Sequence, residues 1–269
     1  MPGHAGCVVF AMANQKGGVG KTTTAINLGA ELAVRGVPVL LVDLDPQANS
    51  TAGLGLARQG GTTVYDVLIN QQPLADAIID TVQPGLSLAP SGPDLAGAEV
   101  ELVPAMAREQ RLLRAIESVA DRYAVIIVDC PPSLGLLTLN ALTAADEVLV
   151  PVQCEYLALE GLSQLTNTLE AVRGNLNARL HLGGLLLTMY DARTNLCQQV
   201  AQEVRSHFTE TFETVIPRSV RLSEAPSHGL PIGLYDGRST AAKAYGALAD
   251  EVIEKFVPSF KAKSAEAKR

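Results

Sequence analysis

A segment rich in glycine and lysine near residue 20 has the composition of a phosphate-binding loop, and it reads Gln15-Lys16-Gly17-Gly18-Val19-Gly20-Lys21-Thr22-Thr23. An apolar run precedes it and a helical pattern follows it. Glycines let successive backbone N–H groups face one anion, and the N-terminus of a helix adds partial positive charge. Lys21 would supply a cation to the β- and γ-phosphates of a nucleotide, and the Thr22 hydroxyl would coordinate Mg²⁺. We therefore predict a site for a nucleoside triphosphate and Mg²⁺.

The loop departs from the ordinary P-loop pattern in one respect. That pattern, G-x-x-x-x-G-K-[ST], begins with a glycine, and this chain has Gln15 at the corresponding position. The next residue, Lys16, is an additional lysine directly before Gly17. The strict pattern therefore fails, and the loop carries a second cation near its start.

Two buried strands are predicted to deliver carboxylates to the same end of a sheet. Asp43 and Asp45 follow the run Pro38–Val42, and strand alternation directs both toward one side if the strand continues that far. Asp129 follows the run Ala124–Val128, and two prolines then turn the chain out of the sheet. Ligands bind at the carboxyl ends of strands in open α/β sheets. An apolar strand that ends in one carboxylate is typical of a Mg²⁺ site, usually through water, so Asp129 is a candidate metal residue.

Short apolar runs alternate with longer helical patterns along the chain. The predicted strands are Cys7–Ala13, Pro38–Val42, Leu86–Ala89, Ala124–Val128, Glu147–Val152, Leu182–Thr188 and Thr214–Ile216. Several lack polar alternation, which indicates strands buried on both faces of a parallel sheet. Helices are predicted at Lys21–Val34, Arg108–Arg122 and Leu157–Arg173, with long loops and short helices at 48–104. The predicted fold class is α/β, a single-domain P-loop NTPase with a doubly wound, mostly parallel sheet flanked by helices.

Composition sets further limits. The 269 residues carry 21 basic and 28 acidic side chains, a net charge of −7 that excludes a uniformly basic nucleic-acid coat. The four cysteines lack C-x-x-C spacing, so we expect reduced thiols and no zinc site. Because no basic leader and no apolar run of about 18 residues is present, we expect a cytoplasmic protein without membrane association. The ATPase domain is expected to cover residues 1–258, with a flexible tail at 259–269.

The loop resembles that of the ParA/MinD group of deviant Walker A ATPases, whose signature is K-G-G-x-x-G-K-[ST]. Residues 16–22 match it as K-G-G-V-G-K-T, and residues 43–47 match the D-x-D-P-Q segment of the same group. Two later segments, residues 188–195 and 216–229, resemble the chromosomal ParA (Soj) branch almost residue by residue. The resemblance extends from residue 8 to about residue 255 and implies an ATPase that requires ATP and Mg²⁺.

The resemblance implies roles for the site residues. Lys16 would reach across a nucleotide-sandwich dimer to the partner's ATP phosphates, like an arginine finger, where a cation is worth ~10³ to 10⁵ in rate. Asp45 would orient or activate the attacking water, and Asp43 would hold magnesium-bound water or the loop. Apolar contacts to the adenine are expected from Met189 and Pro217. The predicted catalytic residues are Lys16, Lys21 and Asp45, and the predicted metal residues are Thr22, Asp43 and Asp129.

Arginines that follow the later strands are candidates for DNA contacts. Residues 191–269 carry 11 basic and 10 acidic side chains, whereas residues 1–190 carry 10 and 18. By the same resemblance, Arg193, Arg218 and Arg221 would grip DNA phosphates without reading sequence. Leu230 stands where many relatives have lysine, so one phosphate contact is expected to be missing. Compensating contacts are expected from Arg238, Lys243 and Lys255.

The preferred hypothesis is an ATP-dependent DNA-partitioning protein whose homodimer binds nucleoid DNA until a ParB-like centromere-binding partner stimulates hydrolysis. Three alternatives share the loop. A membrane-cycling division-site regulator of the MinD kind needs a C-terminal amphipathic helix, which Pro258 interrupts here. An iron–sulfur reductase needs two suitably placed cysteines, and neither Cys130 nor Cys154 is in a recognisable ligand sequence. A non-enzymatic nucleotide sensor would bind ATP without turnover.

Overall fold

One sheet organises the chain. A computed structural model describes residues 6–56, 60–155, 158–257 and 260, and within these residues eight strands pair in the order β3-β4-β2-β5-β1-β6-β7-β8. Neighbouring strands are parallel except for β3 and β4, which are antiparallel. The strands are β1 Val8–Met12, β2 Val39–Asp43, β3 Ile79–Asp80, β4 Leu86–Ala89, β5 Val125–Asp129, β6 Glu147–Gln153, β7 His181–Tyr190 and β8 Thr211–Pro217. The predicted doubly wound α/β fold is confirmed.

Helices cover both faces of this sheet. They are α1 Lys21–Val34, α2 Asn49–Gly53, α3 Val64–Leu68, α4 Leu74–Ala77, α5 Leu95–Glu101, α6 Arg111–Glu117, α7 Leu136–Ala144, α8 Ala158–Asn175, α9 Asn195–His207, α10 Val220–Glu224, α11 Ile232–Asp236 and α12 Thr240–Phe256. Short 3₁₀ turns lie at Arg108–Gln110, Ala120–Arg122 and Ala225–His228. Among the described residues, no helix has the length and apolarity needed to cross a lipid bilayer.

Two apolar cores enclose the sheet, one on each face. Along β1, Val9 and Ala11 belong to one core, whereas Phe10 and Met12 belong to the other. Successive side chains of a strand point to opposite faces, so a strand covered on both sides must be apolar at every position. Helices α1 and α12 pack on the Phe10 face, and helices α5 to α9 pack on the Val9 face. This burial explains the lack of polar alternation in the predicted strands.

The predicted helix at Lys21–Val34 has the same bounds as α1, but the predicted helix at Arg108–Arg122 is wrong. That segment forms a 3₁₀ turn, α6 and a second 3₁₀ turn. The helix ends after Glu117 in a tight turn, in which the Val119 N–H donates to Ile116 O at 3.0 Å. The Val119 side chain is buried. At the other end, Asn140 of α7 bonds to the backbone of Leu112. Contacts with α7 therefore lie at the start of α6, and a local turn ends it, in a pattern that looks continuous in sequence.

The predictions for α8, for residues 48–104 and for the C-terminal segment compare with the structure as follows. The helix predicted at Leu157–Arg173 corresponds to α8, and the region at 48–104 contains the expected loops and short helices. The antiparallel strand β3 is missed because two residues carry no periodic signal. Of the predicted tail at 259–269, all but one residue lies outside the described part of the chain. The exception, Phe260, is partly buried against the core that contains Phe10.

Candidate nucleotide-binding site

The phosphate loop connects β1 to α1 at the carboxyl end of the central strands. Gly18 and Gly20 have φ angles of 74° and 93°, which lie in the left-handed region that favours glycine. Gly20 is the N-cap of α1, and no side chain of the described residues forms a cap hydrogen bond there. The first amides of α1 are therefore available to an anion, as the sequence predicts.

Two polar residues that the sequence analysis missed hold the loop in place. Asn14 accepts a hydrogen bond from the Lys16 N–H at 3.0 Å and donates to Pro151 O at 2.8 Å. From β7, the Thr188 hydroxyl donates to Val19 O at 2.8 Å. Pro151 lies on β6 and Thr188 on β7, the next two strands after β1 in the sheet order. Only the folded sheet therefore brings these two residues to the loop.

Lys21 points into the loop from the first turn of α1 and is almost fully buried. Its ammonium donates to Lys16 O at 3.3 Å. Burial lowers the pKa of Lys21, while the carboxylates of Asp129 and Asp45 act to raise it. An ammonium has three donors, so the contact with Lys16 leaves donors for a phosphate at the same position.

Asp129, at the end of β5, has the features of a metal-associated carboxylate. One of its oxygens accepts a hydrogen bond from the Ser50 hydroxyl at 2.8 Å, and the other is buried without a hydrogen-bond partner among the described residues. Burial and the nearby charge of Asp43 raise its pKa to about 7, while the neighbouring Thr22 hydroxyl acts in the opposite direction. A buried carboxylate oxygen without a partner is costly, and a hydrated cation beside it would remove that cost. The residues present therefore fit Mg²⁺.

Asp43 and Asp45 do not share one environment, because β2 ends at Asp43. The Asp43 carboxylate accepts hydrogen bonds from the Asp45 N–H at 3.2 Å, the Thr51 N–H at 2.8 Å and the Thr51 hydroxyl at 2.6 Å. Burial raises its pKa to about 6, although the bonds from Thr51 lower it. These contacts match the loop-holding role expected for Asp43, and its association with the metal stays a prediction.

Asp45 faces the cavity that the phosphate loop borders. Its carboxylate accepts a hydrogen bond from the Gln47 N–H at 2.9 Å, and its carbonyl accepts one from the Ser91 hydroxyl at 2.7 Å. Gln47 and Asn49 line the same cavity, and the sequence analysis assigned no role to either. The signal that could have identified them is their position directly after the carboxylates at the end of β2, Gln47 on the loop and Asn49 at the start of α2.

The nucleotide site consists of two adjoining cavities. The larger, of about 580 Å³, lies between the phosphate loop, Asp45 and Pro132, and Leu230 also lines it. The smaller, of about 300 Å³, is lined by Met189 and Pro217, which the sequence analysis assigned to the adenine. Met189 borders both cavities and has a φ of 51°, which is unusual for a non-glycine residue. Their apolar lining suits a flat base next to a polar phosphate site.

Lys16 lies at the rim of the site, where its ammonium forms an ion pair with Glu155 Oε2 at 2.6 Å. The two side chains are 47% and 48% exposed. Glu155 follows β6 and also accepts a hydrogen bond from the Gln153 amide. The sequence analysis did not find Glu155, because 139 residues separate it from Lys16. In the single subunit, therefore, Lys16 is directed to a carboxylate of its own chain.

Two of the predicted DNA-binding arginines, Arg193 and Arg221, also have acidic partners. Arg193 forms two hydrogen bonds to the Asp191 carboxylate, at 2.9 and 2.7 Å, and these bonds lower the pKa of Asp191 to about 2. Arg218 is exposed and lines the smaller cavity. Arg221 pairs with Glu224 at 2.9 Å and with Asp236 at 3.7 Å. The remaining three candidates are exposed: Arg238 before α12, and Lys243 and Lys255 on α12. Lys243 borders a groove with α1, whereas the Lys255 ammonium donates to Gly183 O at 2.6 Å.

The pKa of Asp129 predicts how stability depends on pH. Since the pKa is raised from an ordinary value of 3.8 to about 7, folding takes up a proton between these values, and stability falls as pH rises. Without nucleotide and with EDTA, we expect wild type to lose about 1 to 3 kcal/mol more stability than Asp129→Asn between about pH 5 and pH 8. Urea unfolding at each pH measures this. Asp121→Asn, at an exposed position, is the control. Parallel profiles for wild type and Asp129→Asn would contradict the assignment.

Comparisons with known proteins agree with this geometry. A family model described as "AAA domain" matches residues 7–182. The chain is 58% identical over 246 residues to the sporulation initiation inhibitor protein Soj of Bacillus subtilis, which covers 91% of this chain and 97% of that protein. It is 54% identical over 251 residues to the chromosome partitioning protein ParA of Caulobacter vibrioides, covering 92% of this chain and 94% of that protein.

A solved structure has the same fold and contains a nucleotide. The crystal structure of cobyrinic acid a,c-diamide synthase from Mycobacterium smegmatis with bound ADP and magnesium has a TM-score of 0.81 and 39% identity, covering 92% of this chain and 94% of that chain. The two relatives named above have higher identity than this solved structure, and each match covers more than nine tenths of this chain. The chain therefore belongs to the Soj/ParA family of chromosome-partitioning ATPases.

Proposed function

We propose that this chain is an ATP-dependent DNA-partitioning ATPase. ATP and Mg²⁺ bind at the phosphate loop, two copies pair across their nucleotides, and the dimer binds DNA without sequence preference. A ParB-like centromere-binding partner then stimulates hydrolysis and releases the dimer. The observation that best supports the proposal is the additional lysine, Lys16, at the exposed rim of an otherwise complete phosphate site.

The chemistry is phosphoryl transfer to water, and each residue has a separate part in it. Thr22 and Asp129 would hold Mg²⁺, which neutralises phosphate charge when bound. Lys21 binds the β- and γ-phosphates, while Asp45 orients the attacking water from the cavity wall. Lys16 of the second copy would neutralise the charge that develops on the transferred group. Hydrolysis is therefore expected to be slow until the dimer closes.

The ion pair between Lys16 and Glu155 must open before Lys16 reaches a second subunit. Both side chains are about half exposed, and exposed pairs of this kind contribute about 0 to 1 kcal/mol. The pair is therefore weak enough to exchange for a triphosphate. It supports a cycle in which nucleotide in one copy recruits the lysine of the other.

A similar exchange supports nonspecific binding to DNA. Arg193 and Arg221 are paired with carboxylates of their own chain, so Asp191 and Glu224 compete with a phosphate for these guanidinium groups. A single subunit would then bind DNA weakly. A dimer presents the surface twice, and two linked contacts on one duplex give far higher affinity than either alone. Dimer formation would thus control DNA binding despite the net charge of −7.

The alternative of a membrane-cycling regulator has little support at the end of α12. It needs apolar side chains that are free to enter a lipid surface. Phe256 instead packs edge-on against Phe10, with ring centroids 5.2 Å apart, and Val257 is buried in the same core. The alternative of an iron–sulfur reductase also has little support, because Cys130 and Cys154 are buried and burial raises the pKa of both thiols.

The turnover test uses Asp45. Loss of its carboxylate in Asp45→Ala should slow hydrolysis by about 100-fold or more, because general-base or water-orienting groups contribute on that scale. ATP binding, measured with a fluorescent ATP analogue, should remain, and the ATP-bound dimer should stay on DNA. Lys21→Ala is the contrasting variant and should lose nucleotide binding. Unchanged phosphate release by Asp45→Ala would exclude the catalytic role and favour another base or a pure sensor.

The dimer test uses Lys16 and Glu155 in the Asp45→Ala background, where ATP is retained. Adding Lys16→Ala should leave nucleotide binding by the single subunit intact and abolish ATP-dependent pairing. Adding Glu155→Gln frees Lys16 and should tighten pairing by at most about fivefold, the equivalent of 1 kcal/mol. Sedimentation velocity with ATP and ADP gives both values. Glu170→Gln removes one exposed charge from α8 as the control. Full pairing by the Lys16→Ala protein would contradict the sandwich dimer.

The DNA test compares arginines with their acidic partners. Arg193→Ala and Arg221→Ala should weaken binding equally on unrelated sequences, and the slope of log K against log salt should fall by about one for each lost phosphate contact. Asp191→Asn should strengthen binding, because Arg193 no longer has a competing carboxylate. Arg114→Ala, exposed on α6, is the control. Weakening that depends on DNA sequence would contradict the proposal.

A further inference from the structure

Three exposed apolar side chains lie close together in the sequence, at the end of α5 and in the turn after it. Val100, Val103 and Met106 are 74%, 55% and 90% exposed. We refer to these three residues as the α5 patch. The opposite side of the same segment is fully buried through Leu95 and Leu102. The other large apolar side chains that are exposed in the described residues lie at separate places along the chain, whereas these three fall within seven residues.

The backbone that carries the α5 patch is held in a defined conformation. The Val103 N–H donates to Val100 O at 3.1 Å, and the Arg108 guanidinium donates to Val103 O at 2.5 Å. Tyr65 donates its hydroxyl proton to Glu101 at 3.0 Å. A patch whose own backbone is already ordered requires little additional ordering when a partner binds, which favours affinity.

The same segment is hydrogen-bonded to α7, the helix that follows β5 and its last residue, Asp129. Asn140 of α7 donates to Arg108 O at 2.8 Å and accepts from the Leu112 N–H at 3.2 Å. The carboxylate of Glu99, next to Val100, packs directly on Gly135, the N-cap of α7. Movement of the α5 patch would therefore be transmitted to both the start and the middle of α7.

From α7 the connection continues to the nucleotide. Residues 130–135 join Asp129 to α7, and Pro132 in this stretch lines the larger cavity. Pro132 also lies beside Gly17 of the phosphate loop, where an added Cβ would be 4.0 Å from the proline Cβ. A ligand on the α5 patch would thus act on the segment between the metal-associated carboxylate and the phosphate loop without covering either.

The charge around the α5 patch indicates the chemistry of its partner. Besides Glu99, whose carboxylate packs on Gly135, three carboxylates and one guanidinium lie in the surrounding segment, Asp94, Glu101 and Glu109 against Arg108. Arg108 is already paired with Glu109 at 2.8 Å. Symmetric pairing of this surface with a second copy would bring carboxylates together, which is unfavourable. A short amphipathic segment with apolar side chains flanked by Lys or Arg is complementary to it.

We propose that the α5 patch is the docking surface for a basic amphipathic segment of the partner protein that stimulates hydrolysis. Docking reaches the nucleotide through α7 and residues 130–135. The inference deepens the proposed function, since it takes from it the existence of a stimulating partner. It adds where that partner binds and by which chemistry.

The experiment combines added positive charge on the α5 patch with a direct binding signal. Val100→Lys/Met106→Lys places two cations on exposed positions, so the fold should be retained while a basic segment is repelled. With the cognate ParB-like protein, stimulation of hydrolysis should fall at least tenfold. Basal turnover, ATP-dependent pairing and DNA binding should stay at wild-type values. Val34→Lys, at a valine 63% exposed at the end of α1, is the matched control and should behave as wild type.

Binding is measured independently of turnover through Met106→Cys. The four native cysteines are buried, so an environment-sensitive fluorophore should label position 106 selectively. Addition of the ParB-like protein should change the fluorescence, and high salt should reduce the effect. Retained stimulation in the double-lysine protein would overturn the proposal, as would loss of ATP-dependent pairing along with stimulation, which would assign the patch to a contact between copies. Wild-type turnover that does not respond to the partner would overturn the proposed function, while the fluorescence signal would still decide the docking proposal.

Discussion

Buried charge at one edge of the sheet is the constraint on which the site depends. Lys21 is almost fully buried, and Asp129 is buried with one oxygen that has no hydrogen-bond partner among the described residues. Burying charges without full compensation costs several kcal/mol in general, so a fold keeps such an arrangement only when another feature makes it useful. A bound phosphate and a cation would supply the missing charges. The nucleotide therefore completes the electrostatics of the protein at this edge.

Outside that buried centre, three of the cations proposed to contact phosphate are paired with carboxylates of the same chain. Lys16 pairs with Glu155, Arg193 with Asp191, and Arg221 with Glu224. Such pairs at an exposed surface are weak, so they hold the cations in position without preventing exchange. Each carboxylate occupies the place that a phosphate would take in the proposed cycle. These three cations are thus already paired within the single subunit, and triphosphate or DNA would compete with those contacts.

The two faces of the sheet support different parts of the site. On one face, α1 and α12 form a packed core that includes Phe256 and Val257, and this core supports the start of α1 at the phosphate loop. On the other face, α7 is bonded through Asn140 to the segment that carries the α5 patch and is joined to Asp129 by residues 130–135. The second face therefore gives a surface site a physical route to the metal-associated carboxylate. Packed helices transmit displacement well because protein interiors are dense.

Features that depend on neighbouring residues could be predicted from the sequence. The phosphate loop, the bounds of α1 at Lys21–Val34 and the position of Asp129 at a strand end all follow from local composition and spacing. Strands buried on both faces were recognisable because uninterrupted apolar runs have no other stable place. The cavity positions of Met189 and Pro217 came from resemblance to a family, since neither residue type by itself indicates a base.

The tertiary structure alone decided the partners of these residues. Glu155 is 139 residues from Lys16, and Thr188 is 169 residues from Val19, so only the order of β1, β6 and β7 in the sheet brings them together. The different environments of Asp43 and Asp45 depend on where β2 ends, which Thr51 stabilises by hydrogen bonding to Asp43. At the start of α6, within the helix predicted at Arg108–Arg122, Asn140 of α7 forms contacts of the same kind. Local preferences are set by a few adjacent residues, whereas hydrogen bonds and ion pairs between distant segments exist only after the chain has folded.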